Sequence, residues 1–375
     1  MRSFFIVMVL LSCLSSCDWS HDARTHPIIE DVADAVMLPS AGIPPAHRLQ
    51  AGAEQLEDAP RILIIGSGSG DPLTVLPDPV DVATDGDGNV LILDRMIDEL
   101  RLFSPKGAPI GVVAGRGGGP MEFRSGTGIS FLSPDTLMLT TRAGIKFFRR
   151  TKTSYEYAGT TAPTEGVPNA RATCGTTTYT AYRNPFPAEG ERPVRIVAKD
   201  RASMSVGTPY RHGGIIARQD MSSGPIACTD SAVFVAYSHL PFVERFDRTG
   251  RRRWRAQIKS FRPLRFEEKS NESGQTTFTM SPTHGGQLVL AVVPWGASYL
   301  IVQVVTLEPK LGTPGVQTIV RRDTFLLDAE TGSGVAVRAK FAHAVRVDSK
   351  GLLWTVDADS ADNPIVVSYR VGRKE

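Results

Sequence analysis

Residues 82–104 read VATDGDGNVLILDRMIDELRLFS, and residues 345–371 read VRVDSKGLLWTVDADSADNPIVVSYRV. The two align on Asp85, Gly88 and Asp94 with Asp348, Gly351 and Asp357. Each is a turn of the form Asp-x-x-Gly, an apolar run ending in Asp, a polar loop and a second apolar run. That is the pattern of a β-hairpin, since Asp and Gly mark turns and short runs rich in Val, Ile and Leu mark strands. Four further pairs of runs occur between these two. The apolar runs taken as second strands are NVLILD from Asn89, TLMLTT from Thr136, TYTAYR from Thr178, VFVAYS from Val233, LVLAVVP from Leu288 and LLWTVDA from Leu352. The partners that follow are ELRLFS, IKFFRR, VRIVAK, VERFDR, YLIVQVV and IVVSYRV. A hairpin recurring about every 40–50 residues is the mark of propeller blades.

Two local comparisons support the period. ATCGTTTYTAY, containing Cys174, is similar to IACTDSAVFVAY, containing Cys228. IIGSGSGDP from Ile64 is similar to VVAGRGGGP from Val112, the step from an outer strand to the next inner strand. Residues 61–65 therefore read as an outer strand with no blade before it, which predicts that they complete the last blade. The expectation is an all-β chain, a six-bladed β-propeller over 60–375 closed by an N-terminal strand. Closure removes the free sheet edges that template aggregation.

The Asp-x-x-Gly turn, the R-L-F strand, S-P-K-G and G-x-G-G-G-P together resemble an NHL repeat. The likeness is close at Pro79–Gly119, fair in the second and last blades and weak in the third to fifth. It implies a scaffold that binds at the channel mouth, through loops holding Asp94, Arg95, Met96, Asp98, Arg142, Arg183, Asn184, His239, Trp295 and Asp357. A protein, peptide or glycan is the expected partner. A metal-dependent lactonase or lyase is the alternative, with Asp81, Asn169, Asp230 and His343 as candidate calcium ligands that no motif binds together. A sensor or assembly module of the cell envelope is a third class.

The N-terminus concerns location. Arg2 precedes the apolar run from Phe4 to Leu11, too short for a membrane span, and small residues follow, as in an export signal. Leu14-Ser15-Ser16-Cys17 resembles a bacterial lipobox, which implies a signal over 1–16 and a diacylglycerol thioether on Cys17. The chain is then exported and lipid-anchored to a bacterial membrane. Residues 17–59 hold four prolines and no sustained apolar period, and read as a tether with a weak helix near Ile28 to Met37.

Other features carry less. Lys and Arg number 42 against 39 Asp and Glu, a balance that argues against a nucleic-acid partner. The glycine runs 66–70 and 115–119 precede β-type sequence rather than a helix, so they read as inter-blade connectors and not phosphate cradles. Asp85-Gly86-Asp87-Gly88-Asn89 alternates oxygen ligands, but Met96 stands where a calcium loop of the EF-hand kind needs Glu. Cys174 and Cys228 occupy equivalent places in neighbouring blades and either form a disulfide or stay as small buried side chains. Arg251-Arg252-Arg253-Trp254-Arg255, with Arg245, Arg248, Lys259, Arg262 and Arg265 nearby, reads as a charged outer or edge strand, or as a patch for acidic partners or anionic lipid headgroups. No catalytic residue and no cofactor beyond the calcium alternative is assigned.

Overall fold

The structure, a computed structural model, describes residues 24–26, 35–40, 47–66, 70–162, 167–174, 177–183, 192, 194–198, 201–210, 218, 220–270, 276–280, 284–310, 313, 316–339 and 341–372. Residues 1–16, Cys17 and Asn184 lie outside that set.

Six antiparallel sheets form the blades of a propeller. Their inner strands are Pro79–Thr84, Gly126–Ser133, Val167–Cys174, Ile226–Cys228, Gly286–Trp295 and His343–Val347. Each inner strand packs beside those of its two neighbours, and the last, His343–Val347, meets the first, Pro79–Thr84. The fourth strand of blade 6 is Arg61–Ile65, antiparallel to Pro364–Arg370 with Ile65 opposite Val366 and Leu63 opposite Ser368. The ring is thus closed by the segment that the repeat pattern left over.

Second strands lie between two neighbouring blades, which explains their unbroken apolar sequence. Val90–Asp94 and Ala232–Ala236 are buried at every position, the state in which a strand loses its polar alternation. Ile92, Val82 and Phe103 pack towards blade 6 on Ile65, Trp354 and Val366. On the opposite face, Leu91, Leu93 and Leu102 pack on Leu137, Leu139 and Phe148 of blade 2.

The Asp-x-x-Gly turns follow from one geometry. Asp85 Oδ1 accepts hydrogen bonds from the Asp87 and Asn89 amides, and Asp348 Oδ1 from those of Lys350 and Leu352. Gly88 and Gly351 sit at φ +85° and +71°, left-handed positions that favour glycine. Asp85 also accepts the Tyr155 hydroxyl and lies 3.7 Å from Arg150, so its carboxylate is committed to the turn and to blade 2.

Blade 5 departs from the expected register. LVLAVVP lies in the inner strand Gly286–Trp295, and YLIVQVV in the second strand Tyr299–Pro309. The third and fourth strands are Gln317–Asp328 and Gly334–Val337. The sequence reading is one strand late here, because the hairpin at Gly296-Ala297-Ser298 has no Asp to announce it.

The stretch read as a tether carries packed elements. Val36–Leu38 adds a parallel fifth strand to blade 4, Leu38 facing Ile258. Helix α1 (His47–Glu57) buries Leu49, Gly52, Ala53 and Leu56, the i, i+3, i+4, i+7 face of an amphipathic helix, against blades 5 and 6. A Cβ on Gly52 would stand 3.0 Å from Leu326 Cδ2, so glycine permits the close approach. Residues 28–34, where most of the expected weak helix falls, lie outside the described set, and α1 is a separate helix that the sequence reading did not include.

The arginine run lies in the outer strand Arg252–Ile258. It is neither an open edge nor a free patch throughout. Arg255 Nη2 donates to Glu244 Oε1 at 2.6 Å and Arg252 Nη1 at 3.3 Å, while Trp254 Nε1 donates to the Ala329 carbonyl. Glu244 is fully buried and also accepts from the Tyr237 and Thr208 hydroxyls. Burial and the adjacent Glu244 charge hold the Tyr237 hydroxyl well above its usual pKa.

Candidate functional site

The axial channel has a volume of about 640 Å³ and is lined by inner strands of all six blades. On the side of blades 6, 1 and 2 the wall is mixed and carries polar groups, with Asp81, Thr127, Ser130, Thr140 and Arg346. On the side of blades 4 and 5 it is apolar, with Ile226, Ala227, Leu290, Val292 and Val293. Cys174 and Cys228 stand between these walls, joined as a disulfide with Cα atoms 6.0 Å apart.

Asp81 ties three blades. Its Oδ2 accepts from the Ile129 amide at 2.8 Å and lies 3.3 Å from Arg346 Nη2, which also donates to the Ile129 carbonyl at 2.6 Å. Burial raises the pKa of Asp81, against the pull of Arg346. His343, also in the wall, is lowered to about 4 by burial, and the Arg322 charge adds to the effect. Asp230 sits exposed in the first hairpin turn of blade 4, at the far end of the ring from the start of the His343 strand. The side chain of Asn169 lies outside the described set. Asp230 is therefore not brought to Asp81 and His343, and no cluster of three or more His, Cys, Asp or Glu suited to a metal occurs among the described residues.

The loops between second and third strands open on one face, together with the connectors from blade to blade. Two hydrogen bonds show this pairing of loop and connector: the Ser125 amide donates to Asp98 Oδ1, and the Arg142 amide to the Ser125 carbonyl. Arg95, Met96 and Arg142 are exposed on this face, Met96 at 61%. Asp357, at the same end, borders a second cavity of about 290 Å³ between blades 5 and 6 with Arg321, Arg322 and Phe341.

Several residues singled out from sequence do other work. Asp94 is fully buried and accepts the amides of Asp78, Met96 and Ile97, so it builds the loop; burial raises its pKa. Asp98 accepts the Ser125 amide and lies 3.3 Å from Arg116 Nε, at φ +53°. His239 lies under Phe266, ring centroids 4.8 Å apart, and burial lowers its pKa to about 4. Trp295 belongs to the opposite face, since the strand it ends is the inner one; it is buried and stacks at 5.0 Å on Tyr299 beside α1. The side chain of Arg183 lies outside the described set. The disulfide partners had a signal in the repeat; Arg346 had none, because only ring closure brings blade 6 beside blade 1.

No family model matches the sequence, and no curated protein matches it. Solved structures do match the fold. One is a protein inferred to be exported, from Bacteroides fragilis NCTC 9343, with TM-score 0.54, 11% identity, and coverage of 84% of this chain and 95% of that one. Another is a member of the DUF4221 family from Bacteroides vulgatus ATCC 8482, with TM-score 0.54, 9% identity, and coverage of 84% and 98%. A virginiamycin B lyase from Staphylococcus aureus aligns at TM-score 0.40 and 12% identity over 83% of this chain and 98% of that one. At such identities the likeness concerns the propeller fold alone.

Proposed function

We propose that this chain is an exported propeller of the NHL-repeat kind, held to a bacterial membrane by lipid on Cys17, that binds an envelope protein, peptide or glycan at one channel mouth. The observation that carries the reading is the grouping of exposed Arg95, Met96 and Arg142 on one face, around a channel within the usual volume range of ligand pockets. Export is supported by the N-terminal signal pattern and by the Cys174–Cys228 pairing, which suits an oxidising compartment. The inferred export of the Bacteroides fragilis neighbour points the same way.

The test is site-specific photo-crosslinking in the native envelope, with the reactive group at Met96 or Arg142 and, for contrast, at Asp230 on the opposite face. Discrete adducts from the first two positions and none from the third are expected. Adducts of equal yield from both faces, or none from Met96 and Arg142, reject the mouth as the binding site.

A further inference from the structure

The strand Arg24–His26 pairs with residues 266–268, the first strand of a hairpin formed by Phe266–Ser270 and Thr276–Met280. This hairpin interrupts the connector from blade 4 to blade 5. Its base is held on the mouth face, where Phe266 packs edge-on against His239 and the Gln287 amide donates to the Arg262 carbonyl at 2.6 Å.

Cys17 precedes Arg24 by seven residues, which span at most about 25 Å when fully extended. A compact chain of this length is roughly 50 Å across. A lipid on Cys17 therefore enters the bilayer close to the hairpin, and the opposite side of the ring, at blade 1, lies beyond its reach. Charge supplies an independent argument. Lys259, Arg262 and Arg265 are exposed along the connector that leads to the hairpin, and residues 259–265 contain no acidic side chain. Arg262 is matched at the surface by Glu308, and Glu267 and Glu268 begin the hairpin itself, so the positive strip is the connector. Basic residues at a membrane surface are attracted by anionic headgroups.

We propose that the mouth face at blades 4 and 5 lies against the membrane, with Lys259 and Arg265 meeting anionic lipid headgroups. The mouth is then approached from the side of blades 1 and 2, where Met96 and Arg142 stand. This rests on the reading of Cys17 as lipidated.

The experiment uses the full mature chain purified from membranes and reconstituted in vesicles containing about one third anionic lipid. With Cys174 and Cys228 joined and Cys17 acylated, an introduced cysteine is the free thiol for a fluorescent label. Arg265→Cys tests the strip, and Lys106→Cys, exposed in the outer turn of blade 1, tests the far side. A bilayer-borne quencher is expected to dim the first label severalfold more than the second, and the difference is expected to shrink in neutral vesicles and at high salt. Mass spectrometry of the N-terminal peptide separates the two failures. An acylated Cys17 with equal quenching at both sites, or with quenching at Arg265→Cys that ignores lipid charge, overturns this orientation and leaves the anchor intact. An unmodified Cys17 removes the anchor and the orientation with it.

Discussion

Blade 1 and blade 5 perform the same structural task by different means. In blade 1 the strands are short, five residues each at Val90–Asp94 and Glu99–Phe103, and each turn carries its own marker, Asp85 with Gly88, then Asp94 with Asp98, then Ser104 with Gly107. In blade 5 the second and third strands run 11 and 12 residues, and the turn before them carries no Asp. Its place is secured from outside instead, by α1 on Leu326 and Tyr299, by Ser40 on Gly334 and by an ion pair of Arg48 with Asp328. Local turn chemistry makes a blade's register legible, and where long-range packing replaces it the pattern shows the blade but not the register.

The contrast predicts where the molecule is vulnerable. The largest effect is expected in blade 4, which is braced by the added strand Val36–Leu38, at Glu244. Glu244→Ala leaves Arg255 buried without its carboxylate and should cost about 3–5 kcal/mol in urea unfolding. A loss under about 1 kcal/mol shows that solvent already screens the cluster. Next is Leu56→Ala, which removes a buried contact of α1 and should cost about 2–4 kcal/mol; no change means that the helix contributes nothing to blades 5 and 6. In blade 1, Asp85→Ala deprives two turn amides and the Tyr155 hydroxyl of their acceptor, for about 1–3 kcal/mol. If Asp85→Ala proves worse than Glu244→Ala, the division between self-written and braced blades is wrong.

The pH dependence is a smaller test. His239 and His343 are held near 4 in the folded chain, below the usual 6.5. The unfolded chain takes up protons that the folded one refuses, so stability falls as the pH drops from about 6.5 to about 4. Asp81 and Asp94 are raised and act in the opposite sense, losing stability as the pH rises through their folded pKa values. His343→Gln should reduce the slope in the histidine window by about one proton, as read from melts across pH. The smallest expected effect is that of calcium chelation, which should leave the melting temperature of the chain unchanged. A marked fall would favour the calcium alternative over the binding scaffold.

The mouth face divides along the same line. Arg95, Met96 and Arg142 were legible because their loops follow well-marked second strands. Trp295 was misplaced by the slipped register of blade 5, and Asp94 and Asp98 looked available because sequence does not reveal which backbone amides a carboxylate will accept. A buried carboxylate in a tight turn and an exposed one in a binding loop are the same residue type at the same spacing.

By itself the sequence determined the blade number, the closing role of residues 61–65 and the turn chemistry of blades 1 and 6. These depend on contacts between near neighbours along the chain, or on a repeat that states the same solution six times. Only the tertiary structure decided that α1 and Val36–Leu38 brace the ring, that Arg346 reaches Asp81 across the closure and that Glu244 organises the arginine run. Those choices depend on which distant surfaces meet when the ring closes, and burial then sets Arg346 against Asp81 and Arg255 against Glu244.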